Sequence, residues 1–206
     1  MPRRSVTDAQ LTRARIVRHA VSAASAEGLE GITIGSLATA LGMSKAGVVG
    51  PFGSKAELQV EVLDRATAEF RSAVVKPALQ ASAGLPRLLE VVDHWMDYLS
   101  DSPFPNGCFI TAASCELDGR PGNLRDRLAD VVRRWNAFLV EQVEIGQGNG
   151  DIDPAWDPAE LVQIIVGLAM AANQSVQLLD DRNAPDRARR IMTELATGRR
   201  AGASPP

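Results

Sequence analysis

Between residues 11 and 195 the apolar side chains recur at spacings of three and four, and no run alternates with the period of two that a half-buried strand requires. That patterning predicts an all-α chain, and Gly and Pro punctuate it into about nine helices. The first covers about 8–27, with Leu11, Ile16, Ala20 and Ala24 on one face and Gly28 as its stop. Thr33 and Ser44 stand where two short helices need N-caps, and Pro51 must end the second, because proline has no amide to give the turn before it. Ser54 caps a long fourth helix that carries Leu58, Val62, Ala66 and Phe70 at four-residue intervals and closes at Pro77. Further helices begin near Pro86, Cys108, Asn123, Pro158 and Pro185, and 146–154 is the clearest linker.

With 206 residues, 45% of them hydrophobic, the chain can bury a core without covalent staples. Its two cysteines, Cys108 and Cys115, exclude a disulfide scaffold and a Cys-rich zinc module. Seven positions apart on one helix, they stand roughly 10 Å from each other, too far for a disulfide, so both read as buried structural thiols. His19 and His94 offer little for a metal or for base catalysis; no metal site and no cofactor are expected. Nucleophile–base pairs, P-loops and GxGxxG patterns are lacking as well, which argues against an enzyme. The longest apolar run, 164–172, is about half of the ~20 residues of a membrane span, and no apolar segment follows the basic start. The expectation is a soluble, cytoplasmic protein with no membrane partner.

Net charge is -3, from 22 Lys+Arg and 25 Asp+Glu, a sum that argues against nucleic acid. Its distribution argues the other way. Residues 1–60 hold seven Lys/Arg and four Asp/Glu, which is +3 and leaves -6 for the remainder. A basic head on an acidic body suits an attached anion-binding module.

Residues 34–52 sharpen this. A stripe of Ile34, Leu37, Ala38 and Leu41 fits one short helix; Gly42-Met43-Ser44 fits a tight turn; a second short helix starts at Lys45. Ala38 is small where two helices would cross, Gly42 suits a left-handed turn, and Leu37 and Val48 point into a shared core. This is helix-turn-helix geometry, which presents its second helix to the DNA major groove, although two short helices joined by glycine also occur as plain packing elements.

Residues 28–63, GLEGITIGSLATALGMSKAGVVGPFGSKAELQVEVL, resemble the N-terminal domain of the TetR-like repressors. The shared features are the Thr33-Ile34 entry, the Ala38-x-x-x-Gly42-Met43-Ser44-Lys45 turn, and Phe52-x-Ser54-Lys55-x-x-Leu58 opening the fourth helix. The resemblance covers roughly 12–70; beyond it only helix count, chain length and the GDIDP run at 150–154 match. It implies a helix-turn-helix domain over 1–56 with its motif at about 33–52, a larger effector-binding and dimerisation domain over 57–198, and a flexible tail at 199–206. It also implies a homodimeric repressor that leaves its operator when a small ligand binds.

Site roles follow residue by residue. Thr33 and Ser44 lie at helix N-termini, whose free amides attract phosphate, and each also serves as a cap. Lys55 reaches for a backbone phosphate, and Lys45 for a phosphate or the O6/N7 edge of guanine; these are two of the chain's three lysines. Ala46 and Gly47 allow close approach to the groove floor, and Val49 suits a thymine methyl. Where similar sequences carry an aromatic and a histidine, this chain has Val49, Gly50 and Pro51, so the reading helix is short and poor in donors. The arm Pro2-Arg3-Arg4, with Arg13, Arg15 and Arg18, either adds backbone contacts or is a solvated basic tail.

In the C-terminal part, Trp95, Met96, Phe109, Trp135, Phe138 and Met170 are candidates to line an apolar effector pocket, with Asn173 and Gln174 as polar anchors; filling the core is the plainer reading of each. The apolar helix at about 158–180 and the stripe at 185–197 suit a dimer seam, which would set two reading helices about 34 Å apart on a palindromic double-stranded operator. The expected function is therefore a DNA-binding repressor released by a small apolar ligand. A helical adaptor that binds only protein is the alternative, and a small helical enzyme is a further one.

Overall fold

The structure, a computed structural model, describes residues 6–198. The basic arm at 2–4 and the tail at 199–206 lie outside the described residues. Among the described residues there is no strand, and the helices are α1 (Val6–Glu27), α2 (Ile34–Leu41), α3 (Lys45–Val49), α4 (Lys55–Phe70), α5 (Leu85–Ser100), α6 (Phe109–Leu117), α7 (Asn123–Gly148), α8 (Pro158–Leu179) and α9 (Ala184–Thr197). The chain is all-α, as its periodicity predicts.

Pro77 does not close α4. The helix continues through a π-helical turn (Arg71–Val75) into one last turn (Lys76–Ala78). The amide of Lys76 bonds back to the carbonyl of Arg71, a reach of five residues, and the wider turn lets Pro77 sit at the start of a new turn, where its missing N–H costs nothing. The linker expected at 146–154 is shorter than its composition suggests. α7 runs through Gly148, and buried Ile152 pins the loop, with its amide bonded to the carbonyl of Gly146.

The helices form two compact units. The first takes the chain through Glu69 together with Phe104–Ala129; the second takes Phe70–Pro103 and everything from Asp130. The units thus change over at three places, none of them the border after residue 56 that the sequence suggests. The first unit buries Ile16, Ala20, Leu29, Ile32, Leu37, Val48, Leu58 and Val62. Leu11, expected on the same face as Ile16, is exposed. In the second unit α9 packs on α8 and α5, around Leu88, Val92, Met96, Leu99, Leu161, Ile165 and Met192.

Over its full 22 residues α8 is long and apolar enough by composition to cross a membrane, which the shorter run 164–172 does not suggest. One stripe of it, including Leu161, Ile165, Ala169 and Val176, is buried, while Ile164, Met170, Leu178 and Leu179 face outward. Cys108 is buried, as expected, but Cys115 is exposed. On α6 the buried row is Phe109, Ala113 and Leu117, and Cys115 stands two positions from Ala113, on the opposite side.

Candidate nucleic-acid interface

The reading unit is built from local hydrogen bonds. Thr33 leads into α2 in extended backbone, and its hydroxyl accepts the amide of Ser36 at 3.0 Å while the Ser36 hydroxyl accepts the amide of Thr33 at 3.3 Å, a reciprocal capping box. α2 ends at Gly42 with φ +63 and ψ 36. There the amide of Met43 reaches the carbonyl of Ala38 at 2.9 Å and that of Gly42 reaches Thr39 at 3.2 Å, the paired bonds of a Schellman turn. Ser44 then caps α3 by accepting the amide of Gly47 at 3.0 Å. Leu37, Ala38 and Val48 are buried between the two helices.

This leaves Lys45 and Ala46 exposed, with Gly47 and Val49 half-buried beside them. Thr33 and Ser44 are exposed at their helix starts. A cleft of about 450 Å³ lies where α1 meets the turn, bordered by Thr12, Arg15, Met43, Ser44 and Gly47. Exposed Arg15 brings a cation to it.

Two cations expected to face DNA are engaged within the protein. Lys55 is half-buried, and its ammonium donates to the carbonyl of Glu30 at 3.0 Å. Arg13 pairs with Glu61, its Nε standing 3.0 Å from the carboxylate, and it also donates to the carbonyl of Pro51. Its guanidinium stacks on the ring of Phe52 at 4.7 Å. Arg13 therefore fixes the exit of α3 against α1 and α4. Nothing in the spacing of Arg13, Pro51 and Glu61 signals this, because the partners lie 38 and 48 residues away.

The residues suggested for an effector pocket are only partly brought together. Trp95 and Trp135 meet edge to face at 5.1 Å, and Phe138 lies 6.0 Å from Trp135. Phe70 and Tyr98 complete the group: Phe70 stands edge-on to Trp95, Trp135 and Tyr98 at 6.0, 5.2 and 5.4 Å. Periodicity marks Phe70 only as a member of the α4 stripe, and nothing in the sequence singles out Tyr98. Met96 is buried in the same unit. Phe109, in contrast, belongs to the first unit and packs on Phe104 at 5.7 Å. Met170 and Gln174 face outward, and Asn173 is buried. The indole nitrogens of Trp95 and Trp135 are both buried without a hydrogen-bond partner.

A capped helix-turn-helix with an exposed Lys45-Ala46 surface, on an all-helical chain with a second helical unit, defines a DNA-binding transcriptional regulator. The family described as tetracyclin repressor-like, C-terminal domain, matches residues 84–192, more than half of the chain, and the chain belongs to that family. Its fold is that of solved regulators. A TetR transcriptional regulator from Chloroflexus aurantiacus is 23% identical, with 94% of this chain and 98% of that one covered at a TM-score of 0.87. A regulator from Saccharomonospora viridis, solved with choline, is 21% identical over 90% and 95% of the chains, at a TM-score of 0.74. AibR, solved with isovaleryl coenzyme A and operator DNA, is 17% identical over 90% and 98%, at a TM-score of 0.72. None of the curated proteins matches the chain.

Proposed function

We propose that this regulator is a cytoplasmic homodimeric repressor, without catalytic activity, that sits on a palindromic operator and leaves it when a small effector enters the second unit. The observation that carries the DNA-binding mode is the exposed start of α3, where Ser44, Lys45 and Ala46 face solvent and the Ser44 hydroxyl caps the amide of Gly47. Thr33, Gly47 and Val49 complete that surface, and Lys55 keeps two ammonium protons for a phosphate beyond the one given to Glu30. AibR with operator DNA and a coenzyme A ester, and the choline-bound regulator, support a fold of this kind holding both partners.

The effector site is assigned to the cluster of Phe70, Trp95, Tyr98, Trp135 and Phe138, with Met96. It offers apolar walls and two buried indole donors that lack acceptors, a combination that suits a small apolar molecule carrying a carbonyl or another acceptor. Such a ligand lowers operator affinity by its differential affinity for the conformation that binds DNA poorly. The dimer seam is assigned to α8 and α9, with Ile164, Met170, Leu178 and Leu179 of α8 forming an outward apolar surface.

Titrating a promoter-proximal duplex with the protein between ~0.05 and ~0.2 M salt tests the reading. Several phosphate contacts per dimer predict a steep linear fall of log K with log salt. Absence of binding at the lowest salt overturns it.

A further inference from the structure

The turn that leads into α2 is held by a side chain from a distant part of the sequence. α1 ends at Glu27, and Gly28 turns the chain with φ +86. The next two amides, of Leu29 and Glu30, donate to the two oxygens of the Glu116 carboxylate on α6, each at 2.8 Å. Their carbonyls are taken from the other side by α4: Gln59 donates to Leu29 at 2.8 Å and Lys55 to Glu30 at 3.0 Å. The fit is close. A Cβ on Gly28 would stand 3.0 Å from both Glu116 oxygens, so the carboxylate occupies the space that only glycine leaves. The segment before α6 adds to the hold, as Asn106 donates its side-chain amide to the carbonyl of Ala26 at 3.2 Å and its backbone amide to the Ser25 hydroxyl at 3.3 Å. Thr33, which caps α2, lies three residues beyond Glu30, and buried Leu29 and Ile32 fix the intervening chain.

We propose that Glu116 is a positioning residue for DNA recognition: its carboxylate sets the α1–α2 turn and through it the orientation of the reading pair α2–α3. On this account α6 is a working part of the DNA-reading unit, in keeping with its membership of the first compact unit. The carboxylate is suited to the task because a charged acceptor with two oxygens serves two adjacent amides at once, and bonds to a charged group are stronger than neutral ones.

The test uses the full chain with Glu116→Gln and Glu116→Ala, a duplex selected by the wild-type protein from a random pool, and a scrambled duplex of the same composition. Both substitutions remove one negative charge, so long-range electrostatics is common to them. Glu116→Ala is expected to weaken the selected duplex roughly tenfold while leaving the scrambled duplex within about twofold, because non-specific binding rests on phosphate contacts alone. Glu116→Gln, which keeps one acceptor, should fall between. Hydrogen exchange in the free protein should quicken at the amides of Leu29 and Glu30 and stay unchanged in α9. The proposal is overturned by equal losses on both duplexes, by wild-type discrimination in both variants, or by exchange that quickens throughout the chain. If Glu116→Ala does not fold, the isosteric Gln variant decides by the same readings.

Discussion

At the scale of single residues, the two lysines of the reading unit separate into different roles. Lys45 is exposed at the start of α3, whereas Lys55 is tied to the Glu30 carbonyl. Lys45→Ala is expected to reduce operator affinity and to lower the slope of log K against log salt by about one for each phosphate that the lysine neutralises. Lys55→Ala should leave more of that slope in place and cost about 1 kcal/mol of stability in a thermal melt. The cysteines divide in the same way. Burial pushes the Cys108 thiol above its ordinary 9.0, while its hydrogen bond with Thr111 pulls less strongly the other way. A thiol alkylating reagent near neutral pH should therefore label Cys115 in the folded protein and reach Cys108 only on unfolding. Because the folded state holds the Cys108 proton more tightly, this group's contribution to stability is intact below about pH 9 and is lost as pH rises through its raised value. The check is a series of denaturant melts from pH 7 to 10, in which Cys108→Ala should flatten the alkaline fall.

At the scale of elements, α3 is too short to stand alone, since a helix of five residues is well under the length at which isolated helices persist in water. It is held by what surrounds it: the Schellman turn at Gly42, the Ser44 cap, and Arg13 on the carbonyl of Pro51. A Cβ at Gly42 meets no atom within 4 Å, so Gly42→Ala isolates the cost of left-handed backbone. We expect a destabilisation of about 1–2 kcal/mol in a denaturant melt, with operator affinity falling as α3 loses its fixed start. These elements also mark what the sequence makes legible. Thr33, Ser44 and Asp157 are readable as caps because each acts on an amide two or three residues ahead. The helices are readable because periodicity is local. Arg13 with Glu61, Lys55 with Glu30 and Glu116 with Leu29 are not, since the pairs are 48, 25 and 87 residues apart and no local pattern encodes them. Phe109 is misplaced by sequence reasoning for a similar cause: its size shows that it will be buried, but not in which unit.

At the scale of the whole molecule, the proposed dimer makes a prediction that does not depend on the operator's identity. Leu178 and Leu179 are 70% and 68% exposed, so charged residues there leave the folded chain's core untouched. Leu178→Asp together with Leu179→Asp should give a monomer in analytical ultracentrifugation and roughly halve the salt slope of DNA binding, because a monomer neutralises half as many phosphates. An unchanged dimer would move the seam away from this end of α8. The charge division of the sequence belongs to this scale too. On the proposed mode of binding, an acidic body disfavours loose adhesion to DNA while the basic first 60 residues engage it, a balance that the net charge of -3 conceals.

The placement of Glu116 has a consequence for biosynthesis. A ribosome delivers the chain from its N-terminus, so α1 to α4 emerge while the carboxylate that receives the amides of Leu29 and Glu30 is still untranslated. At about 5–20 residues per second, the 47 residues from Glu69 to Glu116 take roughly 2–9 seconds. During that interval the nascent head displays a reading helix whose entry turn lacks its acceptor. Competence to recognise an operator is thereby deferred until a later stretch of the same polypeptide has been made, and a product truncated before α6 would carry the helix-turn-helix without the means to aim it.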